Sequence, residues 1–385
     1  MTADPDMNQT AILHVVERLE RLVTRLPEKI RRPVLRELTP LKELFLQQRP
    51  PRFLLIGSSK IPTHRIIDTL FTAGVPERMN VALIPVHRWI DWDISGHGTI
   101  SILDARDAGD SAAAPVEEGL KRQSPDIIFL FDDAESNLEK PAAAKSASFL
   151  LHLPYDFGGA LDDAKVIGVC FGSEKRAAQL EEALKTQPAV RDRLLKVIRF
   201  DEMHSAEVRG LLSVLTEQLP NQAKIEMIRI SRDREAQHHV AQMLIKSTTA
   251  ICTAIGAQPI PLADMPILTS LQVVMVSGIM YISGRERSLR AATEFITALG
   301  ANVGAGMVLR EGARAILKFF PGWGNVVCGM VAGAGTYAIG RAASAFFIGG
   351  VSLREARRKY LADRKKSPHK PHWLDGSKRA SKSIE

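Results

Sequence analysis

The sequence predicts an α/β domain with a mostly parallel sheet, followed by an apolar all-α domain. Short apolar runs recur between residues 52 and 200, and helical patterning lies between most of them. Strands that alternate with helices form a parallel sheet that is covered on both faces. Beyond Asn221 the strand signals stop, and long uncharged runs rich in Gly and Ala follow. The chain has 385 residues, of which 45% are hydrophobic, and is therefore long enough for two or three domains.

The first region, residues 1–50, carries apolar side chains at helical spacing that three prolines interrupt. This pattern predicts two or three short amphipathic helices, which we expect to pack on the next domain. The Pro50-Pro51 pair ends the region.

The α/β domain is assigned to residues 51–220. Six apolar runs predict its strands, at Phe53–Ile56, Val81–Val86, Thr99–Leu103, Asp126–Phe131, Lys165–Cys170 and Leu195–Phe200. Helices are predicted between them at Arg65–Phe71, Val116–Arg122, Glu174–Leu184 and Ala206–Leu219. The alternation of strands and helices ends near Pro220, which marks the end of the domain.

The helical domain is assigned to residues 221–362, and a basic tail to residues 363–385. Residues 222–247 predict one long amphipathic helix, and the uncharged runs that follow predict apolar helices. The tail is rich in Lys, Ser and Pro and poor in apolar residues, which predicts disorder.

The positive charge of the chain has one location. There are 51 Lys and Arg against 43 Asp and Glu, and the whole surplus of 8 falls between Arg354 and Lys382. The rest of the chain is balanced. Attraction to an anionic partner is therefore a property of this segment and not of the chain as a whole.

The cysteines indicate a reducing compartment. Cys170, Cys252 and Cys328 cannot make a disulfide framework, and no two of them have a C-x-x-C spacing. Their apolar surroundings are typical of small core residues. The acidic, polar N-terminus lacks the basic and apolar stretches of a secretory signal, so we expect a cytoplasmic protein.

A strand, a turn and a helix follow one another after residue 52, which is the context of a phosphate-binding loop. In such a loop, backbone N–H groups hold phosphates, a Lys reaches the terminal phosphates and a Ser or Thr holds Mg²⁺. Counted along G-x-x-x-x-G-K-[ST] from Gly57, the second Gly falls on Pro62, which has no N–H. The Lys falls on Thr63, which has no charge, and the Ser/Thr falls on His64, a poor Mg²⁺ ligand. Lys60 is the remaining cation inside the loop.

Long stretches of the chain resemble the bacterial GTPases of the Era/TrmE-like group that carry a C-terminal YcjF-like helical domain of unknown function. The resemblance is carried by RRPVLRELTPLKELFLQQRPPRFLLIG, GHGTISILDAR, SPDIIFLF and GAQPIPLADMPILTSLQVVMVSGIMYISGRE, and by the text from AATEFITALG to GRAA. It extends to about Tyr360 and is strongest after residue 221. It implies a Ras-like P-loop fold over residues 52–220, a helical domain behind it, and association with a membrane.

The nucleotide motifs of that family carry over only in part. The D-x-x-G motif falls on Asp104, which the resemblance makes a Mg²⁺ ligand, but Asp107 replaces the Gly and adds negative charge. Gly109 can serve only if the loop shifts. The guanine-reading [NT]-K-x-D motif falls on residues 171–174, where Glu174 is the one group able to accept from a guanine edge. The nucleotide-binding candidates are therefore Gly57, Lys60, Thr63, His64, Asp104, Gly109 and Glu174, with Asp104 as the metal candidate.

These departures predict a pseudo-GTPase that has lost hydrolysis and tight GTP binding, with no cofactor and no assigned catalytic residue. Positioned positive charge contributes roughly a thousandfold to phosphoryl transfer, and this loop lacks it. We expect a membrane-associated or partner-binding module. Two alternatives stay open. One is a functional GTPase that binds GTP and Mg²⁺ through Lys60, Asp104 and Gly109, and the other is a soluble helical scaffold that pairs with an active GTPase.

The partner predictions concern the second half of the chain. The uncharged runs 265–284 and 319–340 reach the length of a membrane span, but polar residues dilute them, and a two-span hairpin would export basic residues. We therefore expect peripheral attachment at the inner membrane through anionic lipid and the basic segment 354–382, with integral insertion as the alternative. A protein partner, in a homo- or hetero-oligomer, is the other candidate. A nucleic acid is not favoured, because aromatic residues do not interleave with the basic ones.

Overall fold

The computed structural model describes residues 34–38, 47–71, 87–94, 97–107, 110–132, 163–257, 264–299 and 324–365, with a few single positions between 17 and 32 and at 161. The chain divides into two compact units. The sheet unit comprises residues 48–233, and the helical unit comprises residues 1–47 and 234–385. The predicted tail beyond residue 365 and Gly109 lie outside the described residues.

The described residues of the sheet unit form a six-stranded sheet in the order β2-β3-β1-β4-β5-β6. The strands are β1 (Arg52–Gly57), β2 (Trp89–Asp93), β3 (Thr99–Asp104), β4 (Ile127–Phe131), β5 (Lys165–Cys170) and β6 (Leu194–Arg199). Only the β2–β3 pair is antiparallel among the pairs described. The predicted α/β class with a mostly parallel sheet is therefore confirmed.

Six helices belong to the described part of the sheet unit. They are α1 (Thr63–Phe71), α2 (Asp110–Arg122), α3 (Glu174–Lys185), α4 (Pro188–Arg191), α5 (Ser205–Gln218) and α6 (Asn221–Ser231). They cover both faces of the sheet. Because side chains alternate along each strand, each face has its own apolar core. Phe53 and Leu55 of β1 enter one apolar core, and Leu54 and Ile56 enter the other.

The second strand differs from its prediction. The run Val81–Val86 lies outside the described residues, whereas β2 forms at Trp89–Asp93 and pairs with β3. Asp91 and Asp93 are exposed while Trp92 is buried, as expected for an edge strand with one solvated face. This polar alternation is why a search for continuous apolar runs does not find it.

The end of the sheet unit also differs from the prediction. Residues 222–247 do not form one helix, because α6 ends at Ser231 and a new helix begins at Arg234. Between them Arg232 adopts a left-handed conformation with φ 53°, which ends α6. Helix α6 belongs to the sheet unit, where the Glu226 carboxylate accepts from the Thr99 N–H at 3.1 Å. The structural division therefore falls after Asp233 and not near Pro220.

The described part of the helical unit contains five long helices. They are α7 (Arg234–Gly256), α8 (Asp264–Ile282), α9 (Leu289–Ala298), α10 (Gly324–Phe347) and α11 (Leu353–Lys365). Helices α7 and α10 approach closely, since a Cβ at Gly340 would lie 2.6 Å from Ile245 Cγ1. Among the helices that the structure describes, none combines the length and the apolarity that crossing a membrane requires.

Candidate functional site

The predicted site lies at the carboxyl ends of the parallel strands. Strand β1 is flanked by β3 on one side and β4 on the other, which creates a topological switch point. Open α/β sheets bind ligands outside the carboxyl ends of their strands at such a point. Among the described residues, three of the turns at this edge follow β1, β3 and β5. We call them the β1 turn (residues 57–62), the β3 turn (residues 104–107) and the β5 turn (residues 171–173).

The β1 turn begins at Gly57, where glycine is required by packing. Its φ is +112°, and a Cβ would lie 2.1 Å from the carbonyl oxygen of Phe131 at the end of β4. The N–H of Ser58 donates to that same carbonyl at 3.2 Å. The backbone of β4 therefore explains this glycine without any ligand.

Arg106 fills the space between the β1 turn and the β3 turn. Its guanidinium is 1% exposed and donates from Nε and Nη2 to the two oxygens of Asp104, at 2.8 and 2.7 Å. Nη1 donates to the carbonyl of Ile61 at 2.7 Å, and Nη2 also reaches the Thr63 hydroxyl at 3.1 Å. The two turns are thus joined by a cation that belongs to the protein.

Asp104, the candidate metal ligand, is fully used by protein donors. The Thr63 hydroxyl donates to its Oδ2 at 2.6 Å, and the Arg106 backbone N–H donates to its Oδ1 at 3.2 Å, in addition to the guanidinium. A carboxylate offers about four lone-pair sites, and four donor contacts occupy them. The side chains present therefore do not fit a Mg²⁺ ion on this carboxylate.

The pKa of Asp104 reflects the same contacts. Burial by itself raises the pKa of this carboxyl, but the hydrogen bonds and charge of Arg106, together with the Thr63 hydroxyl, outweigh burial. The pKa therefore lies below its ordinary value, and Asp104 is ionised and paired at neutral pH.

Asp107 closes the β1 turn from the other side. Its Oδ2 accepts from the N–H of Ser59 at 2.9 Å and from the Ser59 hydroxyl at 2.5 Å. The Lys60 N–H lies 3.4 Å from the Ser58 hydroxyl oxygen, and Pro62 has no N–H to offer. The backbone donors at 58, 59 and 60 therefore point to acceptors of the protein itself.

A second ionic pair lies two strands away, where β4 ends. Asp132 is 0% exposed, and Arg176 of α3 donates to its Oδ2 from Nε at 2.9 Å and from Nη2 at 2.7 Å. The thiol of Cys170, which ends β5, has a pKa raised to about 11, first by burial and then by the negative charge of Asp132.

The β5 turn is also tied to its neighbour. The N–H of Gly172 donates to Asp201 Oδ2 at 3.0 Å, and the ring centroids of Phe171 and Phe200 lie 5.5 Å apart. These contacts join the β5 turn to the segment that follows β6. The Asp201 carboxylate thus accepts from a backbone N–H of the β5 turn, just as the Asp107 carboxylate accepts from one in the β1 turn.

The structure brings only some of the predicted residues together. Thr63 and Asp104 are in contact, and Gly57 is linked to the β3 turn because its carbonyl accepts from the Asp107 N–H at 3.0 Å. Lys60 is exposed, and His64 is half-buried. Glu174 is exposed at the first position of α3, whose N-cap is Ser173.

Four residues that shape this edge were not among the candidates: Arg106, Asp132, Arg176 and Asp201. Arg106 lies inside the degenerate D-x-x-G stretch, and a cation two residues after a buried strand-end carboxylate is a signal that could have identified it. The partnership of Asp132 with Arg176 joins residues 44 positions apart, and nothing in the local sequence indicates it.

No model of a known protein family matches the chain, and no curated protein matches it either. The GTPase resemblance therefore remains an interpretation of the sequence. Within the part of the chain that the structure describes, no group of three His, Cys, Asp or Glu side chains is arranged to hold a metal ion.

Proposed function

We propose that this protein is a pseudo-GTPase, a P-loop-like α/β domain that does not hydrolyse GTP and acts as a partner-binding or membrane-associated module. The observation that supports it best is the closed β1 turn, in which Asp107 accepts from the Ser59 N–H and Arg106 donates to the Ile61 carbonyl and to Asp104. The proposal extends the sheet topology, which by itself establishes only a mostly parallel α/β fold.

Charge is the first argument against a bound phosphate. The Asp107 carboxylate contacts the Ser59 N–H in the β1 turn, and a phosphate placed there would meet it directly. Two like charges at about 4 Å repel by several kcal/mol near a protein surface. Arg106 does not compensate, because its guanidinium is already paired with Asp104.

The second argument concerns the groups that phosphoryl transfer requires. Catalysis depends on positioned cations and Mg²⁺ around the transferred phosphoryl group. Thr63 has no positive charge, and Asp104 is saturated by protein donors. Neither the lysine role nor the metal role can therefore be filled by these residues.

Without a γ-phosphate to bind, the β1 and β3 turns would form a fixed surface instead of a switch. A fixed surface suits a module that holds a partner at all times. The basic segment 354–382 adds attraction to an anionic membrane at the cytoplasmic side, as the charge distribution of the sequence predicts.

The test is a titration of the full chain with fluorescent GTP and Mg²⁺, with an active P-loop GTPase as the positive control. We expect no saturation below about 1 mM, which corresponds to a binding free energy weaker than about −4 kcal/mol. Micromolar affinity, with GTP turnover that Asp104→Ala abolishes, would overturn the proposal in favour of a functional GTPase with a non-standard loop.

A further inference from the structure

One end of the helical unit collects arginines from two segments that are distant in sequence. Arg285 follows α8, and its guanidinium carbon lies 5.0 Å from the ring centroid of Phe347 and 5.8 Å from that of Phe346. Both rings belong to the last turn of α10. The C-terminal ends of α8 and α10 therefore lie side by side, and Arg285 is held across them by cation–π contacts.

Helix α11 starts at this same end. The N–H of Val351 donates to the carbonyl of Ala345 in the last turns of α10, at 3.2 Å, and Ser352 then caps α11. The Glu355 carboxylate accepts in return from the Ser352 N–H at 3.1 Å, which completes a capping box. The basic segment 354–382 thus begins in an ordered helix, in which Ala356 and Tyr360 are buried.

The outward face of α11 combines arginines with leucines. Leu353 and Leu361 are 40% and 45% exposed, and Arg357 lies between them at a spacing of four residues. Arg354 and Arg358 are exposed on the adjoining stripe. Residues at this spacing lie on one side of a helix, so apolar and basic groups are presented together.

The acidic residues near this face do not cancel its charge. Glu355 is ionised in the capping box and acts on Arg358, Glu286 is exposed beside Arg285, and Asp363 lies 3.6 Å from Arg341. Glu294 is paired with Arg290 at 3.0 Å. We call this end of the helical unit, with Arg285, Arg354, Arg357, Arg358 and the two leucines, the basic end. Its four arginines outnumber Glu286 and Glu355, so it keeps a net positive charge.

We infer that the basic end binds the surface of a bilayer that contains anionic phospholipid. The inference deepens the proposed function, on which it rests, by naming the surface and the partner. Arginines near an anionic leaflet each contribute about one kcal/mol, and exposed leucines at the same face enter the boundary between headgroups and acyl chains. The phenylalanines of this end hold Arg285 and are not arranged as a stacking platform between basic residues, which argues against a nucleic acid.

The experiment is co-sedimentation of the full chain with vesicles of phosphatidylcholine, alone or with about one third phosphatidylglycerol. We expect binding to the anionic vesicles only, with release as the salt rises toward about 1 M. The test variant changes Arg285, Arg354 and Arg357 to Gln. Its matched control changes three exposed arginines of the sheet unit, Arg122, Arg191 and Arg209, to Gln.

We expect the test variant to bind anionic vesicles about a hundredfold more weakly than the wild type, and the control to bind within about twofold of it. Leu361→Ser should weaken binding several-fold, whereas Met243→Ser, at another exposed apolar position, should not. A urea unfolding midpoint equal to that of the wild type shows that the test variant is folded.

Equal binding to neutral and anionic vesicles, or equal losses in the test and control variants, would overturn the inference. The same holds if the test variant binds normally while neutralising the five bases beyond Lys365 abolishes binding. Failure of this experiment would not affect the argument against nucleotide binding at the closed β1 turn, because the nucleotide titration does not depend on vesicles. The two proposals can therefore fail separately.

Discussion

The edge of the sheet carries two buried Arg–Asp pairs that look alike and differ in what they connect. Arg106 and Asp104 are two residues apart, and both belong to the β3 turn. Arg176 and Asp132 are 44 residues apart, and they join α3 to the end of β4. The first pair is local and governs what the neighbouring β1 turn can accommodate. The second is long-range and holds a helix against the sheet.

The comparison shows how the charges of a degenerate site are balanced by the protein itself. Burying an ion pair costs desolvation that the mutual attraction only partly offsets, so such a pair is weak evidence for stability. Its breakage is nevertheless costly, because one charge is left unpaired. The Arg106 pair satisfies a carboxylate at the end of β3 with a cation from the same turn. The site therefore remains internally balanced without a ligand.

The largest effect is expected from breaking the long-range pair. Arg176→Ala removes the guanidinium that donates to the fully buried Asp132 carboxylate, so we expect the free energy of unfolding to fall by about 3–5 kcal/mol. Urea unfolding monitored by circular dichroism at neutral pH measures it. Arg122→Ala, which removes an exposed pair with Glu118, is the control and should cost no more than about 0.5 kcal/mol.

Two variants separate the charge of Asp132 from lost packing. Arg176→Met keeps most of the side-chain volume and removes the cation. If the cost comes from the charge of Asp132, adding Asp132→Leu to Arg176→Met should recover most of the stability that Arg176→Met loses. A double variant no more stable than Arg176→Met would mean that the charge of Asp132 is not the source of the loss.

A smaller effect is expected at the local pair. Arg106→Ala should lower the free energy of unfolding by about 2–3 kcal/mol, because Asp104 retains the Thr63 hydroxyl and the backbone N–H of residue 106. With the guanidinium gone, burial should dominate and raise the pKa of Asp104 above its ordinary value.

The pH dependence of the two proteins should then differ in sign. In the wild type the lowered pKa of Asp104 contributes stability that is present above its unfolded pKa, about 3.9, and is lost as the pH falls through the lower folded pKa. In Arg106→Ala the raised pKa should make the protein more stable as the pH falls through that pKa toward the unfolded value. Parallel stability curves above about pH 4 would contradict the role of Arg106.

The sequence was a good guide to the sheet and a poor guide to the charges. Periodicity located β1, β3, β4, β5 and β6 and placed Asp104 at the edge where the turns lie. It missed β2, because an edge strand with alternating aspartates is not an apolar run. It missed the break at Arg232, because a left-handed helix end is usually marked by Gly.

The ionic contacts could not be predicted from the sequence for a different reason. A sequence shows which residues carry charge but not which of them meet, and Asp132 meets Arg176 only through the packing of α3 on β5. At the β1 turn the sequence alone showed which residues depart from the phosphate-binding loop motif. That Arg106 and Asp107 close the turn could be learned only from the geometry.

A still smaller effect on stability is expected when the glycine of the degenerate D-x-x-G stretch is restored. Asp107 has a φ of 48°, which glycine adopts without strain, so Asp107→Gly should change the free energy of unfolding by less than about 1 kcal/mol. It should not create micromolar GTP affinity, because Pro62 still lacks an N–H and Arg106 still occupies the turn. Fluorescent-GTP titration of this variant with Mg²⁺ decides it. Micromolar binding would mean that Asp107 alone keeps the nucleotide out.

The smallest effect concerns the thiol beside the long-range pair. Burial and the Asp132 charge raise the pKa of Cys170 to about 11, and burial raises that of Cys252 to about 12, so both remain protonated near pH 8. Since the thiolate is the nucleophile, neither should react with iodoacetamide within minutes in the folded chain, as measured by mass spectrometry of the labelled peptides. Unfolding in urea supplies the control, in which both must label. In Arg176→Ala the two donations from the guanidinium to Asp132 are lost, which should loosen this edge, and Cys170 should label faster while Cys252 does not. Equal acceleration at both cysteines would instead indicate global unfolding, and the local role assigned to the Arg176 pair would be lost.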